Sequence, residues 1–131
     1  MKIAVTSSGK DLDSPMEPRF GRCPYFIIID SETMEYEALP NMAQGAAHGA
    51  GIQAARFVTD KWINMVITGN VGPNAFSALS SAGIEVITIM LGTVREAVEE
   101  FKKGTLGEGK RRPTVGGHYG SRGRGRRRIG N

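Results

Sequence analysis

Apolar residues along this chain fall into short runs separated by polar, glycine- and proline-bearing turns. Lys2–Ser7 reads as a buried strand, with Ile3 and Val5 on one face and small residues beside them. An irregular stretch follows from Ser8 to Cys23, broken by Gly9, Pro15, Pro18 and Gly21. Loops of that length inside a compact domain are functional or disordered. Tyr25–Asp30 is almost wholly apolar and reads as a central strand. After the polar turn Ser31-Glu32-Thr33, Met34–Leu39 alternates apolar and acidic residues, the pattern of a half-exposed edge strand antiparallel to the one before it.

Helical spacing takes over further along. Pro40–Gly45 reads as a loop and a helix is expected from about Ala46 to Asp60, packing through Ala47, Ala54, Ala55 and Val58. Ile63–Thr68 is a buried strand. The turn Gly69-Asn70-Val71-Gly72 leads to Pro73, suited to the first position of a helix that ends near Ala82, with Gly83 as its left-handed cap. A strand over Ile84–Ile89 comes next. Thr93 and Glu96 have the spacing of a capping box, opening a helix that ends at Phe101-Lys102-Lys103 before Gly104.

The order βββαβαβα implies an α/β fold with a five-stranded mixed sheet. Strands 1, 4 and 5 are parallel through right-handed crossovers, strand 2 runs against them and strand 3 lies at the edge. This is a ribonuclease-H-like arrangement of elements, and the chain shows no internal repeat.

Charge changes the picture of the C-terminus. Residues 1–103 hold nine Lys/Arg against twelve Asp/Glu, a net −3, whereas residues 104–131 hold eight against Glu108 alone, a net +7. Nine of the eighteen glycines also lie in that last segment. Two units are therefore expected: a domain over 1–103, and a basic Gly/Arg-rich disordered tail over 104–131 with nonspecific affinity for nucleic acid. The high isoelectric point describes the tail and not the domain. Apolar runs stay far short of the roughly 18 residues that span a bilayer. The N-terminus begins in strand-like sequence without a secretory pattern, and the single cysteine, Cys23, excludes an internal disulfide. A cytoplasmic location with no membrane association is the expectation.

Three segments carry the candidate chemistry. Arg19-Phe20-Gly21-Arg22-Cys23 brings two guanidinium groups and a thiol to the start of a central strand. Guanidinium forks suit anions and a thiolate suits soft metals, with the arginines expected to raise the thiolate fraction. Cys23 as a small buried hydrophobe is the other reading. Gly45 to Gly51 places His48 among glycines at a helix start, where open backbone N–H groups attract anions and the imidazole is a candidate metal ligand. Gly69-Asn70-Val71-Gly72-Pro73-Asn74 joins a strand's carboxyl end to a helix, where ligands bind in open α/β sheets, although it matches neither Walker A nor G-x-G-x-x-G. Taken together, Arg19, Phe20, Gly21, Arg22, His48, Gly49, Gly69 and Asn70 are the expected binding residues, with Cys23 and His48 as metal ligands.

Those segments, with Ala82-Gly83-Ile84-Glu85-Val86, resemble the dinitrogenase iron–molybdenum cofactor biosynthesis family in order and spacing over about residues 1–103. The resemblance implies a ribonuclease-H-like fold and a protein that binds or carries an iron–sulfur or iron–molybdenum-type cluster between donor and acceptor proteins. Arg19 stands where nitrogenase-linked members often have His, and Cys23 where alanine is common. No G-x-S-x-G elbow, H-E-x-x-H or C-x-x-C occurs, and the first strand ends in Thr6 and Ser7 without a metal-binding Asp, so no enzyme activity is expected. The alternatives are an RNA-associated protein acting through its Arg–Gly tail, and a regulator that binds a small anion or nucleotide.

Overall fold

A computed structural model describes residues 1–90 and 92–104. The basic tail and its expected affinity for nucleic acid lie outside the described residues. Five strands and three helices occur in the predicted order: β1 (Lys2–Ser7), β2 (Tyr25–Asp30), β3 (Tyr36–Pro40), α1 (Ala50–Thr59), β4 (Met65–Thr68), α2 (Pro73–Ser81), β5 (Glu85–Thr88) and α3 (Val94–Lys102). The sheet runs β3-β2-β1-β4-β5, with β2 antiparallel to both neighbours and β1, β4 and β5 parallel. None of the helices is long and apolar enough to cross a membrane among the described residues.

Strand alternation divides the core into two layers. Ala4, Phe26, Ile28, Val66 and Val86 face Ala54, Ala55, Val58 and Leu79 of α1 and α2. Ile3, Val5, Ile27, Ile29, Ile67 and Ile87 face Val94, Ala97 and Val98 of α3. Because successive side chains on a strand point to opposite faces, one apolar run feeds both layers. The long loop after β1 is stitched down at three places, by bridges from Ser7 to Met16, Pro15 to Thr93 and Arg19 to Asn70. An Arg95 Nε bond to the Asp13 carboxylate at 3.0 Å joins the same loop to α3.

Three element starts differ from the sequence expectation by two residues or more. The first helix begins at Ala50 and not at Ala46, because Gly49 adopts φ 70° and the chain before it turns instead of coiling. The third strand begins at Tyr36, since the Asp30 carboxylate caps the backbone of Glu32 at 2.8 Å and Met34 sits at φ 64° to close the turn. The fourth strand starts at Met65, preceded by Trp62 at φ 60°, which is 86% exposed. The predicted capping box of α3 is present: Thr93 Oγ1 accepts from Glu96 N, and Glu96 Oε1 accepts from Thr93 N at 2.9 Å.

Candidate functional site

The three segments singled out in the sequence meet at one end of the sheet. Residues 19–22, 49–52 and 70–75 line an open groove of about 400 Å³, within the range of small-ligand sites, roughly 300–1,000 Å³. Backbone bonds fix the first segment to the third: Phe20 N donates to Asn70 O at 3.1 Å, and Asn70 N donates to Pro18 O at 2.6 Å. The Phe20 ring beneath is 2% exposed and packs on Phe26 with centroids 5.4 Å apart. It anchors the loop from below while its backbone lines the groove.

Close approach of the second segment depends on glycine. A Cβ on Gly21 would lie 2.8 Å from Gly51 N and 3.0 Å from the Ala50 carbonyl carbon, so the loop rests directly on the start of α1. A Cβ on Gly51 would lie 3.3 Å from Ala75 Cβ, which brings the starts of α1 and α2 together.

Both helices therefore present their first turns to the groove, and neither is capped by a side chain. The earliest intrahelical donors are Gln53 N to Gly49 O and Phe76 N to Gly72 O, each at 2.9 Å. The N–H groups of Ala50, Gly51, Ile52, Asn74 and Ala75 thus have no partner within their helices. No acidic residue lies in either first turn. Each helix start carries roughly half a positive charge, and the guanidinium groups of Arg19 and Arg22 add to the field. Arg19 is tied to Glu17 at 3.1 Å, and its side chain is 65% exposed, so that surface pair leaves it free to move at little cost.

The other expected ligands are placed differently. His48 is exposed on the loop before α1, outside the groove lining. Gly69 is outside the groove lining and half-buried, and a Cβ there would lie 2.7 Å from Met90 Sδ and 2.8 Å from Pro18 Cα. Cys23 is fully buried among the residues beneath α1 and α2. Burial pushes its thiol up to about 12 against an opposing bond from the Ser7 backbone, with smaller effects from the Glu17 carboxylate, which raises it, and Asn41, which lowers it. The expected activation of this thiol by neighbouring arginines is therefore overturned: loss of water outweighs any attraction to their charge. Among the described residues no three His, Cys, Asp or Glu side chains gather into a metal-ion site.

Asn41 also supports the site, although the sequence does not mark it. It is 5% exposed, and its amide donates to the carbonyls of Gly21 at 3.1 Å and Cys23 at 2.9 Å, while its Oδ1 accepts from Ala43 N at 3.0 Å. The residue braces the backbone on both sides of Arg22. An Asn directly after Pro40 has only the signature of a turn, so nothing local marks it.

Comparison with known proteins gives both a family match and solved structures of similar fold. The family model described as dinitrogenase iron–molybdenum cofactor matches residues 1–104. The apo form of the orange protein from Desulfovibrio gigas is similar at 42% identity and a TM-score of 0.78, over 81% of this chain and 90% of that one. A NifB-like protein from Thermotoga, solved by NMR, is similar at 38% identity and a TM-score of 0.74, over 88% and 98%. An uncharacterised Methanocaldococcus jannaschii protein is 32% identical over 109 residues, covering 81% of this chain and 89% of its own.

Proposed function

Since this chain belongs to the dinitrogenase iron–molybdenum cofactor family, we propose that it binds and carries an anionic iron–sulfur or iron–molybdenum-type cluster in the groove between α1 and α2. The observation that carries this reading is the convergence of two uncapped helix starts and two arginines on one groove with no carboxylate in its lining. Sulfide-bridged clusters are anions whose sulfur atoms accept N–H hydrogen bonds. Backbone donors at a helix start are suited to such cargo and are already oriented toward it.

The donor set bears on how the cargo is held. With Cys23 protonated in the core and no three-ligand constellation among the described residues, the chain's own side chains fit an outer contact to a cluster better than direct metal ligation. Arg19 and Arg22 balance its charge, the N–H groups of residues 50–52 and 74–75 bond to its periphery, and an open groove permits release to an acceptor. The cluster arrives with its own ligands from a donor protein. Relatives related to cofactor assembly agree with an accessory role in preference to a catalytic one.

The test is iron, molybdenum and sulfide content, with visible absorption, after anaerobic reconstitution of the wild type, Asn74→Asp and Cys23→Ala. Asn74 is exposed in the first turn of α2. A carboxylate there suits the helix but repels an anion in the groove, and retention should fall by about tenfold or more. Cys23→Ala should retain the wild-type amount. Undiminished retention in Asn74→Asp, or loss in a folded Cys23→Ala, contradicts the reading.

A further inference from the structure

The chain between β3 and α1 is fixed at its two ends and exposed between them. Ala43 is 4% and Ala50 is 6% exposed, while Gln44, Gly45, Ala47, His48 and Gly49 face solvent. A Cβ at Gly45 or at Gly49 would touch nothing within 4 Å, so neither position is packed against a neighbour. Arg22 holds the middle of this loop to the body of the protein, while nearer α1 the Gln53 amide donates to the His48 carbonyl over a longer 3.5 Å. The Arg22 Nη1 donates to the Gln44 carbonyl at 2.8 Å and to the Ala46 carbonyl at 2.7 Å.

That geometry uses both hydrogens of Nη1. The three remaining guanidinium donors have no acceptor among the described residues, and the same side chain lines the groove. Asn41 holds the backbone on both sides of it through the Gly21 and Cys23 carbonyls, so the fork's base is fixed. Arg19 provides a natural contrast: it also lines the groove, but its partner is Glu17 and it makes no bond to the loop.

We propose that Arg22 couples the 44–49 loop to occupancy of the groove, one edge of its guanidinium holding the loop carbonyls while the other meets an anion. This rests on the reading of the groove as an anion site and adds a regulatory element to it. An anion that fixes the fork steadies the loop, and by linkage an ordered loop tightens the anion by the same factor. Arg22 is thus a positioning residue for the loop as well as a binding residue. His48 rides on the coupled segment, which gives that exposed imidazole an approach that depends on the loaded state.

Hydrogen exchange on the full chain, with and without saturating inorganic phosphate as the probe, tests the coupling. Phosphate should slow the amides of residues 50–52 and 74–75, and should slow those of residues 44–49 by about fivefold or more. Arg19→Ala and Arg22→Lys should both weaken phosphate binding, since each alters a groove cation. At saturation, however, the loop should still respond in Arg19→Ala and should exchange fast with or without phosphate in Arg22→Lys. A loop in Arg22→Lys that keeps wild-type exchange and its response overturns the coupling alone, as does a wild-type loop that ignores phosphate while residues 50–52 respond. Absence of any response at residues 50–52 and 74–75 overturns the anion reading of the groove and the coupling with it.

Discussion

The two faces of the sheet treat the starts of their helices in opposite ways. On one face, α3 opens with a complete capping box, an acidic residue in its first turn and a basic one in its last. On the other, α1 and α2 begin at Gly49 and Gly72 with no side-chain cap and no acidic residue. Glycine in place of a capping side chain costs a helix only a few tenths of a kcal/mol, so the two bare starts side by side are a small local weakness unless something else meets their N–H groups. The lesson is one of division of labour. The α3 face is finished for stability, and the α1/α2 face is left open, where the proposed ligand would complete it.

The largest effect expected from this contrast lies under the open face. The folded protein holds the Cys23 proton up to about 12, whereas an unfolded thiol releases it near its ordinary 9.0. Between those values the native state binds more protons than the unfolded state, so stability falls as pH rises, by about 1.4 kcal/mol per pH unit from this group. Denaturant melts of the wild type and Cys23→Ala from pH 8 to 11 isolate it. The wild type should lose stability relative to the variant above pH 9, and parallel curves would show the thiol to be ionised or wet. Next in size is the capped face. Thr93→Ala/Glu96→Ala should lower stability by about 1–2 kcal/mol in a urea melt, with phosphate affinity at the groove unchanged. Smallest in stability is the converse change, Gly72→Asp, which finishes the bare start of α2. Gly72 has extended φ −73° and open space around its Cβ position, so an aspartate fits there. Stability should rise by a few tenths of a kcal/mol, while calorimetric affinity for phosphate drops. A gain in stability with no loss of affinity would separate the groove from the helix starts.

Most of the architecture was readable because the signals were local. Alternation over Met34–Leu39 identified an edge strand, the run Tyr25–Asp30 a central one, and Pro73, Gly83, Thr93 and Glu96 marked helix ends that the structure reproduces. The short polar turn between β2 and β3 dictated an antiparallel pair, and the helical crossover from β4 to β5 a parallel one. The three groove segments were readable as candidates, since glycines clustered beside a strand end or a helix start have few packing uses. What remained hidden depends on the third dimension. Cys23 and Arg22 are adjacent in sequence, yet one is sealed in the core and the other reaches the groove, a difference set by the direction in which the loop enters β2. The same applies to residues 46–49. Their composition suits a helix, but Arg22, from more than twenty residues away, binds the carbonyls of Gln44 and Ala46 and holds a loop there. Asn41, the brace of this arrangement, has no sequence neighbour that hints at its partners.

In the proposed function, the bare starts of α1 and α2 hold the ligand of this domain. Amide chemical shifts of the 15N-labelled protein, recorded anaerobically before and after cluster reconstitution, address this most directly. Shifts or line broadening should concentrate at Gly51, Ile52, Asn74 and Ala75, with the first turn of α3 at Arg95 and Glu96 unmoved. Perturbation centred on α3, or spread through the core around Cys23 with residues 50–52 and 74–75 unchanged, would contradict it.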